Sequence, residues 1–553
     1  MSFAPTRTLA YNRSYKFSFS HTHYDRDWES ISLIYPDQYH TPEELIEELE
    51  QVNSTAPGIV DLFSIGSSFE GREIYCVRIT NENNTGHKPG TLIIGQHHAR
   101  EQITMEMALR FILRLVNEYD TNNEISELID MQQIYIIPTL NPDGLHYVVG
   151  NKTIPGDPWL RKNARQFDDD GDGLFDEDAP EDLNSDGIIS GYDVYTKSGN
   201  NWVYIYSYWE GNDTDNDGEV NEDPIGGVDL NRNYDYRWND STLDSGWGRD
   251  TRGEDYPGSA PFSEPETMAL RAFLEGKSFA TAMSLHSGIN QTYFPWGSTG
   301  AWAEHDLYTS IYSDFRTFLP PGYLAYINYG FGIGYTIAGD WADWMYDFKE
   351  CLVPMTFELY HNRSSTYQVE KENDSVRIER LDDIYGYFNP TGTFIPSLWE
   401  DIKLAFDYWL ELTPRLLVTS YSAIGGNKTG DTLSIRITVR NLSPWVPTVK
   451  GITVVDDNFD SIRDTAGSTV TMVGIEGGKT TDLSFNIFLE SDLGSDNELT
   501  FLIGNRFVGW APIVITAELI TSSQSSPFEV MAMMAALPLL ILFQKKLKKK
   551  ELQ

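Results

Sequence analysis

Two short stretches carry the residue types that hold a divalent cation for hydrolytic work. The run Thr91 to Gly95 reads as a strand and ends in Gln96-His97-His98-Ala99-Arg100-Glu101, after which a helical pattern begins. At such a strand-to-helix turn His98 and Glu101 can converge on one ion, offering the imidazole nitrogen and carboxylate oxygen that Zn²⁺ accepts. A His-x-x-Glu pair by itself is more often a surface accident. A second strand-like run, Phe279 to Leu285, ends in His286 and supplies a third ligand. Three protein ligands leave the fourth position to water, the arrangement of a catalytic rather than a closed structural site. His97 reads as a neighbour of the ligands.

A different cation chemistry is written between Gln166 and Asp223, where eighteen acidic residues stand against one Lys. Three stretches there share one spacing. Asp168, Asp170, Asp172, Gly173 and Asp176 form the first; Asp182, Asn184, Asp186, Gly187, Ser190 and Asp193 the second; Asp213, Asp215, Asp217, Gly218 and Asn221 the third. Oxygen donors at positions 1, 3, 5 and 9, with Gly at 6 for the sharp turn, wrap a hard cation that takes six to eight oxygens. The expectation is up to three structural Ca²⁺ ions. The second loop, with Asp193 at position 12, is most similar to dockerin and EF-hand loops. The other two carry Ala179 and Pro224 there, so their last ligands would come from Glu177 or Asp178 and from Glu222 or Asp223.

From about Tyr39 to Leu412 the chain resembles the zinc carboxypeptidases of the carboxypeptidase A/B type, and it does so in order. The family's His-x-x-Glu and distant strand-end His fall on His98, Glu101 and His286, and its Asn-Pro-Asp-Gly is Asn141 to Gly144. Trp159-Leu160-Arg161-Lys162 places on Arg161 the arginine that polarises the scissile carbonyl. Gly227 to Asn233 places on Asn231 and Arg232 the pair that grips the substrate's terminal carboxylate. The tyrosine that closes over the substrate falls on Tyr335, counted back from Asp343-Trp344, and the general base on Glu358. Asp229 is implied as the partner of the His98 ring, and Arg100 either forms a structural salt bridge or assists substrate binding. The resemblance thus implies one catalytic Zn²⁺, a zinc-activated water, and peptides or proteins with a free C-terminus as substrates. It implies no oligomer.

This sequence departs from the pancreatic pattern in three places. The acidic insert falls between Arg161 and Asn231, near the mouth of the site. About thirty-eight residues precede the match, too few for the usual globular pro-domain. The specificity pocket is mixed: Ala342 and Thr356 favour bulky apolar side chains, while Asp340 nearby could pair with Arg or Lys. A peptidase of cell-wall or isopeptide-linked substrates would need a changed carboxylate grip, and Asn231 and Arg232 argue against that. An inert adhesion protein would be expected to lack a ligand or the base, and His98, Glu101, His286 and Glu358 are all there.

The elements that must position these residues alternate. Thr41-Pro42-Glu43-Glu44 is a capping box with proline in the first turn, opening an amphipathic helix from Tyr39 to Asn53. Strand-like runs at Ile59 to Ile65, Glu73 to Thr80, Thr91 to Gly95 and Gln133 to Pro138 enclose a helical pattern from Gln102 to Tyr119. This predicts an α/β sheet with helices on both faces, and the resemblance implies that it is a mixed twisted sheet of eight-stranded type. From about Leu416 short β-branched runs separated by turn residues predict an immunoglobulin-like β-sandwich. The expected division is an N-terminal extension (1–38), a catalytic domain (39–415) carrying the acidic insert (166–223), a sandwich (416–520), and a linker, apolar anchor and basic tail (521–553).

Composition narrows the partners. A formal net charge of −41 over 553 residues argues against nucleic acid, which needs a basic face. Cys76 and Cys351 read as buried thiols. Met1 to His21 lacks an apolar signal core, yet eleven Asn-x-Ser/Thr sequons favour an extracellular setting. Val530 to Phe543 followed by lysines reads as a C-terminal anchor, which predicts membrane or cell-surface attachment.

Overall fold

The first helix starts where its capping signal puts it. Thr41 accepts from the Glu44 amide and the Glu44 carboxylate accepts from the Thr41 amide, with Pro42 in the first turn, so α1 (Pro42–Thr55) opens with two orphan amides satisfied. The computed structural model describes residues 25–84, 88–150, 157–168, 173–176, 178–185, 189–214, 218, 226–244, 251, 253–321, 323, 326–328, 336–362, 368–381, 384–443, 448–456, 460–493, 498–505, 509–516 and 519–521. Tyr335, Asp170, Asp172, Asp186, Asp215, Asp217, Asn221 and the expected apolar anchor lie outside them.

After α1 come β1 (Val60–Ser67), β2 (Glu73–Ile79), β3 (Gly90–Ile94), α2 (Gln102–Glu118), α3 (Asn123–Met131), β4 (Gln133–Ile137) and α4 (Pro142–Val149). Then follow β5 (Gly191–Ser198), β6 (Asn201–Trp209), α5 (Pro265–Leu274), β7 (Phe279–His286), β8 (Ile289–Tyr293), α6 (His305–Phe315) and β9 (Tyr326–Asn328). The rest of this region is α7 (Trp341–Asp347), β10 (Val353–Tyr360), β11 (Gln368–Glu372), β12 (Val376–Leu381), α8 (Ile384–Phe388) and α9 (Ile395–Leu412).

Eight strands make one mixed sheet in the order β1-β2-β4-β3-β7-β10-β8-β9. Its centre, β4-β3-β7-β10, is parallel. Every residue of β3 and β7 is buried, as a sheet covered on both faces requires. Alternation along β3 sends Ile93 into a core shared with α2 and α9, and Leu92 and Ile94 into a second core shared with α5 and α7. The predicted α/β sheet with helices on both faces is thus the one observed.

The stretch between Arg161 and Asn231 holds something the sequence did not suggest. β5 and β6 form a hairpin that joins β11 and β12, far downstream, in a separate antiparallel sheet ordered β11-β12-β5-β6. Asp193 lies on β5, and its carboxylate accepts from Ser207 Oγ at 2.6 Å and Tyr195 Oη at 3.3 Å.

Beyond Thr413, β13 (Leu416–Gly425), β14 (Thr432–Asn441), β15 (Thr448–Val455), β16 (Thr471–Glu476), β17 (Thr480–Phe488), β18 (Glu498–Asn505), β19 (Gly509–Thr516) and β20 (Ile520–Thr521) form two four-stranded sheets around one core. The junction is hydrogen-bonded. Thr413 Oγ1 lies 2.6 Å from both Thr91 Oγ1 on β3 and Thr281 Oγ1 on β7, and Ser443 Oγ donates to Glu411 O at the end of α9 at 2.8 Å. Cys76 and Cys351 are free and buried, as expected. Among the described residues no helix is long and apolar enough to cross a membrane.

One buried ionic cluster ties the segment before α1 to α2. His40 Nδ1 lies 2.9 Å from Glu106 Oε1 and His40 Nε2 3.3 Å from Glu48 Oε1, all three side chains being fully buried. Burial alone would lower the imidazole pKa; the hydrogen bonds and charges of Glu106 and Glu48 outweigh it and raise the group to about 9. A folded-state pKa above the unfolded one gives stability that is complete below about pH 6.5 and is lost as pH climbs through about 9. His40→Gln is expected to remove about 3 kcal/mol at pH 6 and to flatten the decline of melting temperature between pH 7 and about pH 9.5. Parallel melting curves for the variant and the parent across that range would contradict it.

Candidate metal centre and active-site cleft

The parallel strands deliver their chemistry at their C-terminal ends, where α/β sheets place ligand sites. β3 runs into the turn bearing His98 and Glu101, β7 ends on His286, and Glu358 on β10 sits in register with His286. Ligand atoms of His98, Glu101 and His286 lie within 4.8 Å of one another, and all three residues are buried. His98 Nδ1 is 2.7 Å from Glu101 Oε1 and 3.2 Å from His286 Nδ1, while His286 Nδ1 is 3.0 Å from Glu101 Oε2. Two imidazole nitrogens and a carboxylate aimed at one point, away from water, make the donor set of a zinc site, and these residues fit that ion. Burial would raise the Glu101 carboxyl pKa, but His98 and His286 hold it well below the usual range, so the site carries a carboxylate.

The opposite ring nitrogens are fixed by partners. His98 Nε2 lies 3.2 Å from Asp229 Oδ1, as the resemblance implies. His286 Nε2 lies 2.9 Å from Ser284 Oγ, a partner the sequence reading missed although it stands two residues back on the same face of β7. Such contacts fix which nitrogen faces the ion. His97 turns away, to Ser284 at 2.9 Å and Tyr234 at 2.9 Å, and is a neighbour as expected. Asp229 is wholly buried; desolvation would raise its pKa, yet Arg161, Arg232 and His98 hold it well below the ordinary value.

The remaining motifs act as brackets. Asn141 caps α4 through the Gly144 amide at 2.9 Å and donates to Lys162 O at 3.0 Å, seating the segment around Lys162 beside the ligand turn. Gly144 has no room for a side chain, since a Cβ there would stand 2.5 Å from that of Ala99. Arg161 donates to Asp229 Oδ2 through Nε at 3.0 Å and Nη2 at 2.9 Å. Asn231 accepts from the Trp341 amide at 3.0 Å, and Arg232 Nη1 donates to Asn231 O at 2.9 Å. Gly339, at φ 67°, is required where its chain passes Arg232, because a Cβ would fall 2.0 Å from Arg232 O.

These residues share one cleft of about 250 Å³, lined by the three ligands, Arg161, Asn231, Arg232 and Glu358 among others. Asp340, Ala342 and Thr356 also line it, as the register predicts. Glu358 Oε2 is buried with no hydrogen-bond partner among the described residues. Burial first, and the Glu101 charge second, push the Glu358 carboxyl well above the ordinary range, against the pull of Arg161. Arg100, which also lines the cleft, makes a salt bridge: Nη1 and Nη2 reach the Glu254 carboxylate at 2.8 and 2.9 Å.

Of the three loops expected to bind calcium, the described part is fragmentary. In the first and third, the Gly at position six takes positive φ, 96° at Gly173 and 103° at Gly218, and donates to the position-one carboxylate, Asp168 at 3.2 Å and Asp213 at 3.1 Å. Asp178 is 1% exposed; its Oδ1 accepts from the Thr214 amide at 2.8 Å and its Oδ2 has no partner among the described residues.

Several known proteins are similar to this chain in sequence or shape. The zinc carboxypeptidase of Saccharothrix mutabilis subsp. capreolus is 38% identical over 110 residues, 20% of this chain and 25% of that protein. Zinc carboxypeptidase A 1 of Drosophila melanogaster is 26% identical over 346 residues, 59% of this chain and 63% of that protein. The chain therefore spans between a quarter and just under two thirds of these curated relatives. Among solved structures, thrombin activatable fibrinolysis inhibitor superposes with a TM-score of 0.48 at 20% identity, covering 70% of this chain and 77% of that one. The carboxypeptidase A of Helicoverpa armigera gives 0.45 at 21% identity, covering 68% and 74%. Residues 45–404 match the family described as zinc carboxypeptidase, and the chain belongs to that family.

Proposed function

We propose that this protein is a zinc-dependent carboxypeptidase that removes the last residue from peptides and proteins. The observation that carries the reading is the convergence of His98, Glu101 and His286 in one cleft with Arg232 and Glu358, whose buried Oε2 has no hydrogen-bond partner among the described residues. Zinc held by those three side chains would supply Lewis-acid chemistry, polarising the carbonyl and making water acidic near neutral pH. Glu358 takes the proton of the attacking water and passes it to the leaving amine. Arg161, oriented by Asp229, sets a permanent positive charge where the tetrahedral oxyanion grows. Arg232, with Asn231 beside it, grips the terminal carboxylate as a fork, which limits the enzyme to chain ends. Tyr335 is assigned by sequence as the residue that closes over the substrate.

The pocket that takes the departing side chain is floored by Ala342 and Thr356, with Asp340 beside them. It suits both apolar and basic terminal residues. A panel of acylated dipeptides is expected to be cleaved with a free C-terminus, spared when amidated, and spared again after phenanthroline treatment. Equal cleavage of the amidated forms would sink the exopeptidase reading.

The acidic loops are proposed as structural Ca²⁺ sites. Support comes from the repeated glycine-to-aspartate geometry and from the buried, half-satisfied Asp178 carboxylate, which in an insert so poor in cations calls for a bound ion. Removing calcium is expected to lower the melting temperature by several degrees; an unchanged curve would show these loops are not structural sites.

A further inference from the structure

The acidic insert leaves and rejoins the catalytic scaffold through two legs that are bonded to each other. On the outgoing leg, Asn163 N donates to Val228 O of the returning leg at 2.9 Å; in reply Gly227 N donates to Asn163 O and Val228 N to Asn163 Oδ1, each at 3.0 Å. The legs pass so closely that a Cβ on Gly227 would stand 2.5 Å from Arg165 O. Arg161 on the outgoing leg is oriented by Asp229 on the returning one, and Asn231 and Arg232 stand just beyond Asp229. Arg161, Asn231 and Arg232 all line the cleft, so the positive charge at the oxyanion and the grip on the chain end both depend on how these legs are set.

The outgoing leg leads into the loop that starts at Asp168, and the returning leg comes out of the loop that starts at Asp213. These two loops touch. Asp178, at the end of the first, is buried, and its Oδ1 accepts at 2.8 Å from the Thr214 amide, the one that follows Asp213. Asp213 accepts from the Gly218 amide through Oδ2 at 3.1 Å. That leaves Asp178 Oδ2 and Asp213 Oδ1, both shielded from water and neither with a hydrogen-bond partner among the described residues. Anionic oxygens taken out of water at one contact need a cation to balance them. The insert's one Lys, Lys197, is engaged elsewhere, over the Trp202 ring at 5.2 Å. Carboxylate oxygens converging from two loops suit a hard divalent ion, above all Ca²⁺. Sequence spacing gave Asp178 to the first loop; its bond to Thr214 turns it to the third.

We propose that Asp178 and Asp213 hold one shared Ca²⁺ that clasps the first loop to the third and, through the two legs, sets Arg161 and Arg232 for catalysis, so that turnover depends on calcium. The inference rests on the carboxypeptidase reading and extends the calcium reading from stability to regulation. Without the ion the two carboxylates repel, and the force falls on the segments that lead straight into the legs. Arg161 then shifts against Asp229, which weakens oxyanion stabilisation and lowers kcat, while a displaced Arg232 raises KM.

The test uses the full-length protein, stripped of divalent ions, reloaded with zinc and titrated with Ca²⁺ well below its melting temperature. It reads kcat and KM for a peptide with a free C-terminus, beside bound calcium and zinc by metal analysis. Calcium is expected to raise kcat/KM by about 5- to 150-fold, the ordinary size of coupling between two sites, at constant zinc content. Asp178→Asn keeps the contact with the Thr214 amide but not the charge. It is expected to bind one calcium ion fewer than the parent and to stay at the low rate in calcium that saturates the parent, and Asp213→Asn is expected to do the same. Should either variant fail to fold, the titration of the parent decides. A parent whose melting temperature rises with calcium while its kcat/KM does not overturns the inference and leaves both earlier readings standing, as does an Asp178→Asn variant with the parent's calcium content and response. No effect of calcium on melting or rate brings down the structural calcium reading as well. A zinc-loaded protein that trims no peptide at any calcium concentration brings down the carboxypeptidase reading and this inference with it.

Discussion

Glu358→Gln is expected to lower kcat by about 10²- to 10⁴-fold, the usual worth of a positioned general base, with little change in KM. Gln keeps the shape and the hydrogen-bonding reach of the side chain but cannot take a proton. The neighbouring ligands make their bonds to one another and to Ser284 and Asp229, not to Glu358, so zinc content should match the parent. Stopped assays with acylated dipeptides, alongside metal analysis, check both halves. A variant that binds zinc normally and retains more than about a tenth of the parental kcat would show that another group moves the proton.

Arg232→Ala is the second large effect, and it should fall on recognition of the chain end. A bidentate grip on a carboxylate comprises two charge-assisted hydrogen bonds of about 1.5 to 3 kcal/mol each, so kcat/KM should drop by about 10²- to 10⁴-fold. The loss should be confined to substrates with a free terminus, erasing the parent's preference over amidated peptides. Because Arg232 is buried and its charge acts on Asp229 and Asp340, the alanine variant is also expected to melt earlier. Arg232→Lys separates the two effects. It returns the charge and most of the stability but only one point of contact, so it should recover part of the affinity. Full recovery in the lysine variant would mean that charge alone, and not the fork, holds the substrate.

Much of this site could be read before the structure because its parts are local. His98 and Glu101 share one turn, His286 closes a largely apolar run, and the capping box before α1 is spelled out in four residues. Strands such as β3 and β7 are mostly apolar runs bounded by polar residues, so their ends, at or just before the ligands, are easy to find. What stayed hidden depends on partners far apart in the chain. Glu254 is 154 residues from Arg100 and sits among other acidic residues, so nothing in the spacing marks it. The hairpin of β5 and β6 was absorbed into the acidic insert because its neighbouring loops dominate the composition, and its partners β11 and β12 lie beyond β10. His40 and Glu106 likewise meet across 66 residues, and a lone histidine before a helix carries no signal of a buried ionic contact.

The threonine contact at the junction has a practical bearing on how far the molecule can be cut down. Strands β3 and β7, which end at the zinc ligands, are pinned near their beginnings to one hydroxyl at residue 413. A shortened enzyme stopped at the last residue of α9 would strip that hydroxyl from two interior threonines and uncover the helix carbonyl that Ser443 serves. A minimal fragment must therefore keep Thr413, and only one that also keeps Ser443 preserves the cover on the Glu411 carbonyl.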